Sequence, residues 1–297
     1  MVDILQELKF KENDCFICSS TESHPTDYRK EVFKEEFKIL ECSDCKSSYI
    51  NKIPADSQTY NFIYDYGGRD SKINLRSIFT RLRIIKAKYY LRKNCPEIKK
   101  GNLTILDYGS GDGYLSYSMS ELNKDLNLYA TDYIELESEF YKSVKFIEFE
   151  SFNQDETKFD LIILRHVLEH IEEPAVLIKE LVSKLKSDGY IMVEIPNHDI
   201  KTNKLLNLFG NNYNQIGLPW HFNHFSKDTL SLMLSKYELK FSKNSIPVFG
   251  QSLMMSFNKD KMCFDNTGIL ALLFYPVQII FDLITNSYTA IILKISK

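Results

Sequence analysis

Three groups of residues in this 297-residue chain have types and spacings that chemistry requires. The first is the run Ile105-Leu106-Asp107-Tyr108-Gly109-Ser110-Gly111-Asp112-Gly113, with Asp132 following 19 positions after its last glycine. Glycines at alternate positions let a backbone turn tightly beneath a ligand. Residues 114–122 then read as a helix whose N-terminus faces that ligand. A dinucleotide site needs its third glycine at 114, against the pyrophosphate, but position 114 is Tyr. Asp107 and Asp112 suit a cofactor whose amino-acid end is cationic. Asp132, closing a second short strand, can accept both hydroxyl hydrogens of a ribose. The cofactor read from this spacing is S-adenosylmethionine rather than NAD; the bland alternative is a glycine turn in an unrelated sheet protein.

The second group is Cys15-x-x-Cys18 and Cys42-x-x-Cys45, two pairs separated by 23 residues. Each pair can place both sulfurs on one metal from a tight knuckle. A segment of about 50 residues buries too little apolar surface to fold alone, and a tetrahedral Zn²⁺ held by four thiolates would supply on the order of 10 kcal/mol. All four positions are then filled, so the expected zinc is structural. Cys95 and Cys263 have no partner in spacing and read as plain thiols.

The third group is histidine. Methyl transfer from a sulfonium is an in-line displacement, so the protein must align the reactants, and a hydroxyl acceptor must also lose a proton. Histidine meets that need without heavy tuning of its pKa. Arg165-His166 ends an apolar strand at the carboxyl edge where doubly wound sheets bind ligands, which makes His166 the first candidate base. His170 would share a helical face with it if a helix began that early; the alternative is a capping or core histidine. His221 is the second candidate base, on a loop with His224 and Trp220, the one tryptophan of the chain. Trp220 reads equally as a platform for a sugar ring and as a buried anchor. Glu169 is taken as structural and no catalytic metal is expected, because too few oxygen ligands stand near it in sequence.

Elements capable of positioning these groups follow the glycine loop. Residues 145–149 and 159–164 read as strands three and four. Pro174 opens a helix carrying Leu177, Ile178, Leu181, Val182 and Leu185 on one face, and Gly189 stops it before a strand at 190–195. A helix at 230–234, a strand at 237–241 and a last strand at 287–295 complete an α/β, doubly wound pattern. The helix at 75–93 is basic and amphipathic, with Leu75, Ile78, Phe79, Leu82, Ile85 and Tyr89 as its apolar face. It serves as a solvated face or draws phosphate-bearing substrates and anionic lipid. Residues 269–284 are apolar but too short and interrupted to span a bilayer; they suit core packing, a homodimer contact or peripheral membrane contact. The 44 % hydrophobic and 26 % charged residues fit a globular protein, and a net charge of −3 argues against a bulk polyanion partner. Residues 1–66 are acidic, opposite to a nucleic-acid footprint. Met1 to Glu12 lacks a signal-peptide core, so a cytoplasmic location is expected, with peripheral contact at the inner face of the membrane as the variant.

The stretches Asp107-Tyr-Gly-Ser-Gly-Asp-Gly113, Phe159-Asp-Leu-Ile-Ile-Leu-Arg-His-Val-Leu-Glu-His170, Glu194-Ile-Pro196-Asn197 and Pro219-Trp-His221-Phe-Asn-His224-Phe225-Ser226 resemble the class I S-adenosylmethionine-dependent methyltransferases. With the cysteine pairs and the tyrosines of 60–66, the resemblance narrows to the bacterial subgroup that begins with a zinc ribbon and modifies sugars or envelope glycans. It implies a seven-stranded Rossmann-like sheet with an antiparallel last strand, a ribbon at 1–66 and a catalytic domain at 67–297. It implies cofactor contacts from Asp107, Tyr108, Gly109, Gly111, Gly113, Asp132, Tyr133 and Arg165. Many relatives place an Asp soon after strand three to hold the adenine; this chain has Glu150-Ser151-Phe152-Asn153-Gln154 there, so Ser151, Phe152 and Asn153 are the adenine candidates. The expected activity is O-methylation of a sugar, nucleotide-sugar or lipid-linked glycan. C-methylation of a nucleotide-linked deoxysugar and a non-catalytic cofactor-binding scaffold are the alternatives.

Overall fold

A computed structural model of the chain describes residues 8–66, 78–133, 139–198, 217–236, 238–244 and 290–296. Its centre is a seven-stranded sheet. The strands, in chain order, are β6 (Thr104–Tyr108), β7 (Asn127–Thr131), β8 (Lys145–Phe146), β9 (Phe159–Arg165), β10 (Leu185–Pro196), β12 (Lys240–Asn244) and β13 (Ala290–Ser296). They lie in the order β12-β13-β10-β9-β6-β7-β8. β8, β7, β6, β9 and β10 are mutually parallel, whereas β13 runs antiparallel to both β10 and β12. The antiparallel last strand is therefore present, spanning 290–296 among the described residues; residues 287–289 lie outside them.

Side-chain alternation divides the sheet into two buried faces. Ile105, Leu161, Ile163, Met192 and Ile292 point to one side, where helices α2 (Ile78–Asn94) and α3 (Tyr114–Leu122) cover them. Leu106, Ile162, Leu164, Val193 and Leu293 point to the other, beneath α4 (Pro174–Ser183) and α5 (Lys227–Lys236). Runs such as Phe159–Leu164 are apolar throughout because parallel strands covered on both faces have no wet side. In α2 the buried stripe is Ile84, Ala87 and Leu91, while Leu82, Ile85 and Tyr89 are exposed. The face expected from sequence is thus corrected: the helix is apolar on two stripes, and packing selects the other one. α4 ends at Ser183, before Gly189, which sits inside β10 where a Cβ would come 2.6 Å from the Phe159 carbonyl oxygen. Residues 75–77 and 269–284, Tyr237 and Cys263 lie outside the described residues.

The N-terminal part is built from β1 (Phe10–Glu12), β2 (Ser23–Val32), β3 (Glu35–Cys42), β4 (Ser48–Ile50) and β5 (Lys52–Pro54), followed by α1 (Ser57–Tyr66). Asp56 caps α1, its Oδ1 accepting the Thr59 amide at 2.8 Å. β1 pairs with β5. β2, β3 and β4 form an antiparallel sheet whose fourth strand is β11 (Asn223–His224), far away in sequence, with Asn223 opposite Tyr49 and His224 opposite Ser48. Cys15, Ile17, Cys42 and Tyr49 belong to the same buried cluster as Leu106 and Leu164 of the large sheet. The two parts expected from sequence therefore share a sheet and a core.

Candidate functional site

The glycine loop joins β6 to α3 with Gly109, Gly111 and Gly113 all at positive φ, between 60° and 80°. Their surroundings differ. A Cβ at Gly109 would come 2.4 Å from Val167, and one at Gly113 would come 2.8 Å from the Tyr141 ring, so these two are required by close packing. A Cβ at Gly111 would meet nothing within 4 Å, which identifies the open side of the loop. Asp132, buried just beyond β7, accepts the Gly111 amide at 2.7 Å, and Tyr141 donates its hydroxyl to the Gly111 carbonyl at 2.7 Å. Asp107 lies beneath the loop and accepts from Ser116 Oγ at 2.6 Å; burial pushes its carboxyl up to about 6 against the bond from Ser116. It braces the loop against α3 instead of lining the open side. Asp112 Oδ1 accepts the Tyr114 amide, and its other oxygen meets Arg83 of α2, whose guanidinium stacks 3.7 Å over the Tyr114 ring.

Beside the loop runs a chain of aromatic rings. Tyr60 of α1 packs edge-on against Tyr133 at 5.1 Å, Tyr133 against Phe149 at 5.4 Å, and Tyr108 against Phe152 at 5.4 Å. Phe152 is buried under the cation of Lys184, and exposed Ser151 spends its hydroxyl on the Glu148 carbonyl. Of the three adenine candidates Phe152 is buried while Ser151 and Asn153 are exposed, and Phe149 and Tyr60 of the aromatic row are half-buried. Nothing in the local pattern distinguished Phe149, because residues 145–149 read as one strand, whereas β8 stops at Phe146 and Phe149 opens a short 3₁₀ turn.

Past β9 the chain brings the histidines together. Five of the six histidines of the chain converge here: His166, His170, His198, His221 and His224. The expected shared helical face of His166 and His170 is absent, because α4 begins only at Pro174. His166 turns off β9 at φ 56°, and His170 ends a 3₁₀ turn at 168–170. His166 Nδ1 lies 3.2 Å from Glu169 Oε1 and its Nε2 3.5 Å from Glu194 Oε1. Burial opposes charge on this ring, yet the two carboxylates outweigh it and push the pKa up to about 9. A ring held as imidazolium is a poor proton acceptor near neutrality, which counts against the base role expected for His166. Arg165 Nε donates to Glu194 Oε2 at 2.9 Å, so this residue is committed to the same buried ion group.

His170 and His221 pack edge to face at 5.0 Å. His170 Nδ1 is 2.7 Å from the Trp220 carbonyl; that contact makes Nδ1 the donor and leaves the lone pair on Nε2. A Cβ at Gly217, at φ 58°, would come 2.5 Å from the His221 ring, so only glycine lets the ring sit there. Trp220 donates its indole N–H to the Ile63 carbonyl of α1 at 2.8 Å and lies 5.1 Å from the Lys30 ammonium, the geometry of an anchor. Glu169 is 1 % exposed; burial raises its pKa, but the bond from His166 and the neighbouring imidazoles lower it below the ordinary value. A small pocket beside Glu169 and His221 is lined further by Asn197, His198, Asn223 and His224. Val167, one residue after His166, is the side chain that a Cβ at Gly109 would meet.

The four cysteines also meet. Their Sγ atoms lie within 4.8 Å of one another, with Cys15–Cys45 and Cys18–Cys42 at 3.4 Å. The two knuckles are alike: the Ser19 amide bonds the Cys15 carbonyl and the Lys46 amide the Cys42 carbonyl, and both residues 19 and 46 have φ near 60°. Within the cluster the Ser47 hydroxyl and backbone amides hold the Cys15 thiol pKa down at about 7 against burial, while burial raises those of Cys18 and Cys45. Four sulfurs in this arrangement fit a tetrahedral zinc ion.

A family model described as a methyltransferase domain matches residues 81–243, more than half of the chain. No curated protein matches it significantly. Among solved structures it is similar to the plantazolicin methyltransferase BpumL, crystallised with a desmethyl-plantazolicin analogue and SAH (17 % identity, TM-score 0.47, 82 % of this chain and 91 % of that one). It is similar also to a SAM-dependent methyltransferase from Archaeoglobus fulgidus (17 %, 0.46, 72 % and 94 %). A third similar structure is the mitomycin 7-O-methyltransferase MmcR (12 %, 0.46, 79 % and 60 %).

Proposed function

We propose, from the premise that this chain belongs to the methyltransferase-domain family and is an S-adenosylmethionine-dependent methyltransferase, that it methylates a hydroxyl of a sugar or sugar-containing acceptor. The observation that supports the acceptor class is the convergence of Glu169, Asn197, His198, His221, Asn223 and His224, which with Pro196 and Phe225 line a water-sized cavity and supply hydrogen-bonding groups of the kind a hydroxyl-bearing ligand meets. S-adenosylmethionine, when bound, supplies an activated methyl group. The chain's own residues do the rest. Asp132 and the open side at Gly111 receive the ribose and the cofactor backbone, Arg83 fixes Asp112 at the loop edge, and the Glu169–His170–His221 group holds the acceptor hydroxyl where it loses its proton. The cofactor would supply the methyl carbon to the acceptor oxygen, with its own sulfur as leaving group, and the histidine side would receive the hydroxyl proton.

The four cysteines are read as a structural zinc site, and the acceptor as nucleotide-linked or lipid-linked, met at the cytoplasmic face of the membrane. Among the described residues no helix is long and apolar enough to cross a membrane. Incubating the full chain with methyl-labelled cofactor and extracted envelope glycans, lipid-linked sugars and nucleotide sugars, then locating the label by mass spectrometry, tests this. Label on a sugar oxygen supports the reading. Label on carbon of a nucleotide-linked deoxysugar replaces it with C-methylation, and bound cofactor with no label anywhere makes the protein a scaffold. His221→Ala is expected to lower turnover at least about a hundredfold, the usual worth of a group assisting proton transfer, with cofactor affinity unchanged.

A further inference from the structure

Neither packing nor cofactor binding explains one atom at the acceptor side. Glu169 is almost wholly buried, its Oε1 is engaged by His166, and its Oε2 is buried without a hydrogen-bond partner among the described residues. A buried carboxylate oxygen left unpaired is costly and calls for a ligand. A carboxylate oxygen of Glu169 and one ring nitrogen each of His170 and His221 lie within 4.8 Å of one another. Donors to one ion at bond lengths of about 2.0–2.2 Å stand roughly 3–3.5 Å apart, so small side-chain rotations close the set. The supporting shell is already present: His170 gives its Nδ1–H to the Trp220 carbonyl and Glu169 Oε1 faces His166, the outer contacts that orient ligating histidines and carboxylates. Gly217 makes room for the third ligand by lacking a Cβ.

We propose that Glu169, His170 and His221 form a second metal site, separate from the four cysteines, that takes a divalent transition-metal ion. Two imidazoles and one carboxylate suit Zn²⁺, Co²⁺ or Fe²⁺ and suit the oxygen-seeking Mg²⁺ and Ca²⁺ poorly. Three protein ligands leave coordination open, the pattern of a catalytic rather than a structural site, and the adjoining pocket gives the open side room for a ligand oxygen. This deepens the reading of the acceptor site: a hydroxyl bound to the ion would be held and made more acidic by it, the proton passing to water in place of acceptance by His170 or His221, whose lone pairs the ion would occupy.

The full chain, carrying zinc on its cysteines, is titrated with Co²⁺ and followed by calorimetry and visible absorption. The expected result is about one equivalent of Co²⁺ taken up with a weak ligand-field spectrum and no thiolate charge-transfer band. His221→Ala and Glu169→Gln should each weaken that uptake at least about tenfold while leaving the cysteine-bound zinc and cofactor binding in place. No uptake by the wild-type chain, uptake with a thiolate band, or uptake unchanged in both variants overturns the site; the wild-type titration decides even if a variant fails to fold. Methyl transfer assayed on the same samples tests the acceptor separately: Co²⁺ bound with no labelled sugar sinks the acceptor reading alone.

Discussion

Asp132, the residue proposed to meet the cofactor ribose, already accepts the Gly111 amide at 2.7 Å. Asp132→Ala should therefore weaken cofactor binding by about 1–3 kcal/mol, the worth of a charged hydrogen bond, when measured by calorimetry; unchanged affinity would move the ribose elsewhere. Two other buried carboxylates set opposite pH responses. Burial works against the Glu194 charge, but Arg165 and His166 outweigh it and hold the carboxyl down at about 2 from an ordinary 4.5, so its stabilisation is full above that ordinary value and is lost as pH falls towards 2. Asp107 is pushed up by burial to about 6 from 3.8, so stability declines as pH rises through that interval. Urea unfolding across pH should show a flattened acid limb in Glu194→Gln and the loss of the decline between about 4 and 6 in Asp107→Asn. If both profiles match the wild type, these ion groups are misassigned. The residue types at the site were readable from spacing, as Gly109, Gly111, Gly113 and the cysteines attest. Their electrostatics were not: the charge on His166 depends on Glu194, 28 positions away and on another strand.

Among the elements, β6, the glycine loop and α3 were the most readable, because apolar run, turn and helix are contiguous and local rules apply; residues 114–122 are helical as expected. α2 was misread in face, since only tertiary packing selects Ile84, Ala87 and Leu91 over an equally apolar stripe. β11 was not readable at all: two residues paired with a strand some 175 positions earlier leave no periodic trace. The loop itself separates fold from function. Gly109→Ala, forced into Val167, should lower the melting temperature, whereas Gly111→Ala faces open space and carries only the backbone strain of a positive φ, about 1 kcal/mol. Thermal melts and cofactor titration should show Gly111→Ala folded but impaired in binding, and a Gly111→Ala protein with full affinity would place the cofactor away from that side.

In the whole molecule, the cysteine knuckles and the histidine loop are mechanically one piece. β4 pairs with β11, the Ile50 amide bonds the Phe222 carbonyl at 2.9 Å, Phe16 packs on Phe225, and Lys236 reaches the Ile17 carbonyl. Cys42→Ser should release zinc and open residues 8–54 to protease while cofactor affinity persists, and turnover should fall because His221 and His224 lose their anchorage. Elemental analysis beside a turnover assay checks this; zinc retained in full would refute the four-thiolate site, and turnover kept after zinc loss would refute the coupling. The pairing of β4 with β11 also bears on inheritance. An N-terminal segment that supplies a strand neighbour to residues 223–224 should not be tradable between relatives as a detachable accessory. Exchange of residues 1–66 alone would leave Asn223 and His224 facing a foreign strand, so acceptor preference should travel only with grafts that carry the ribbon and residues 217–226 together.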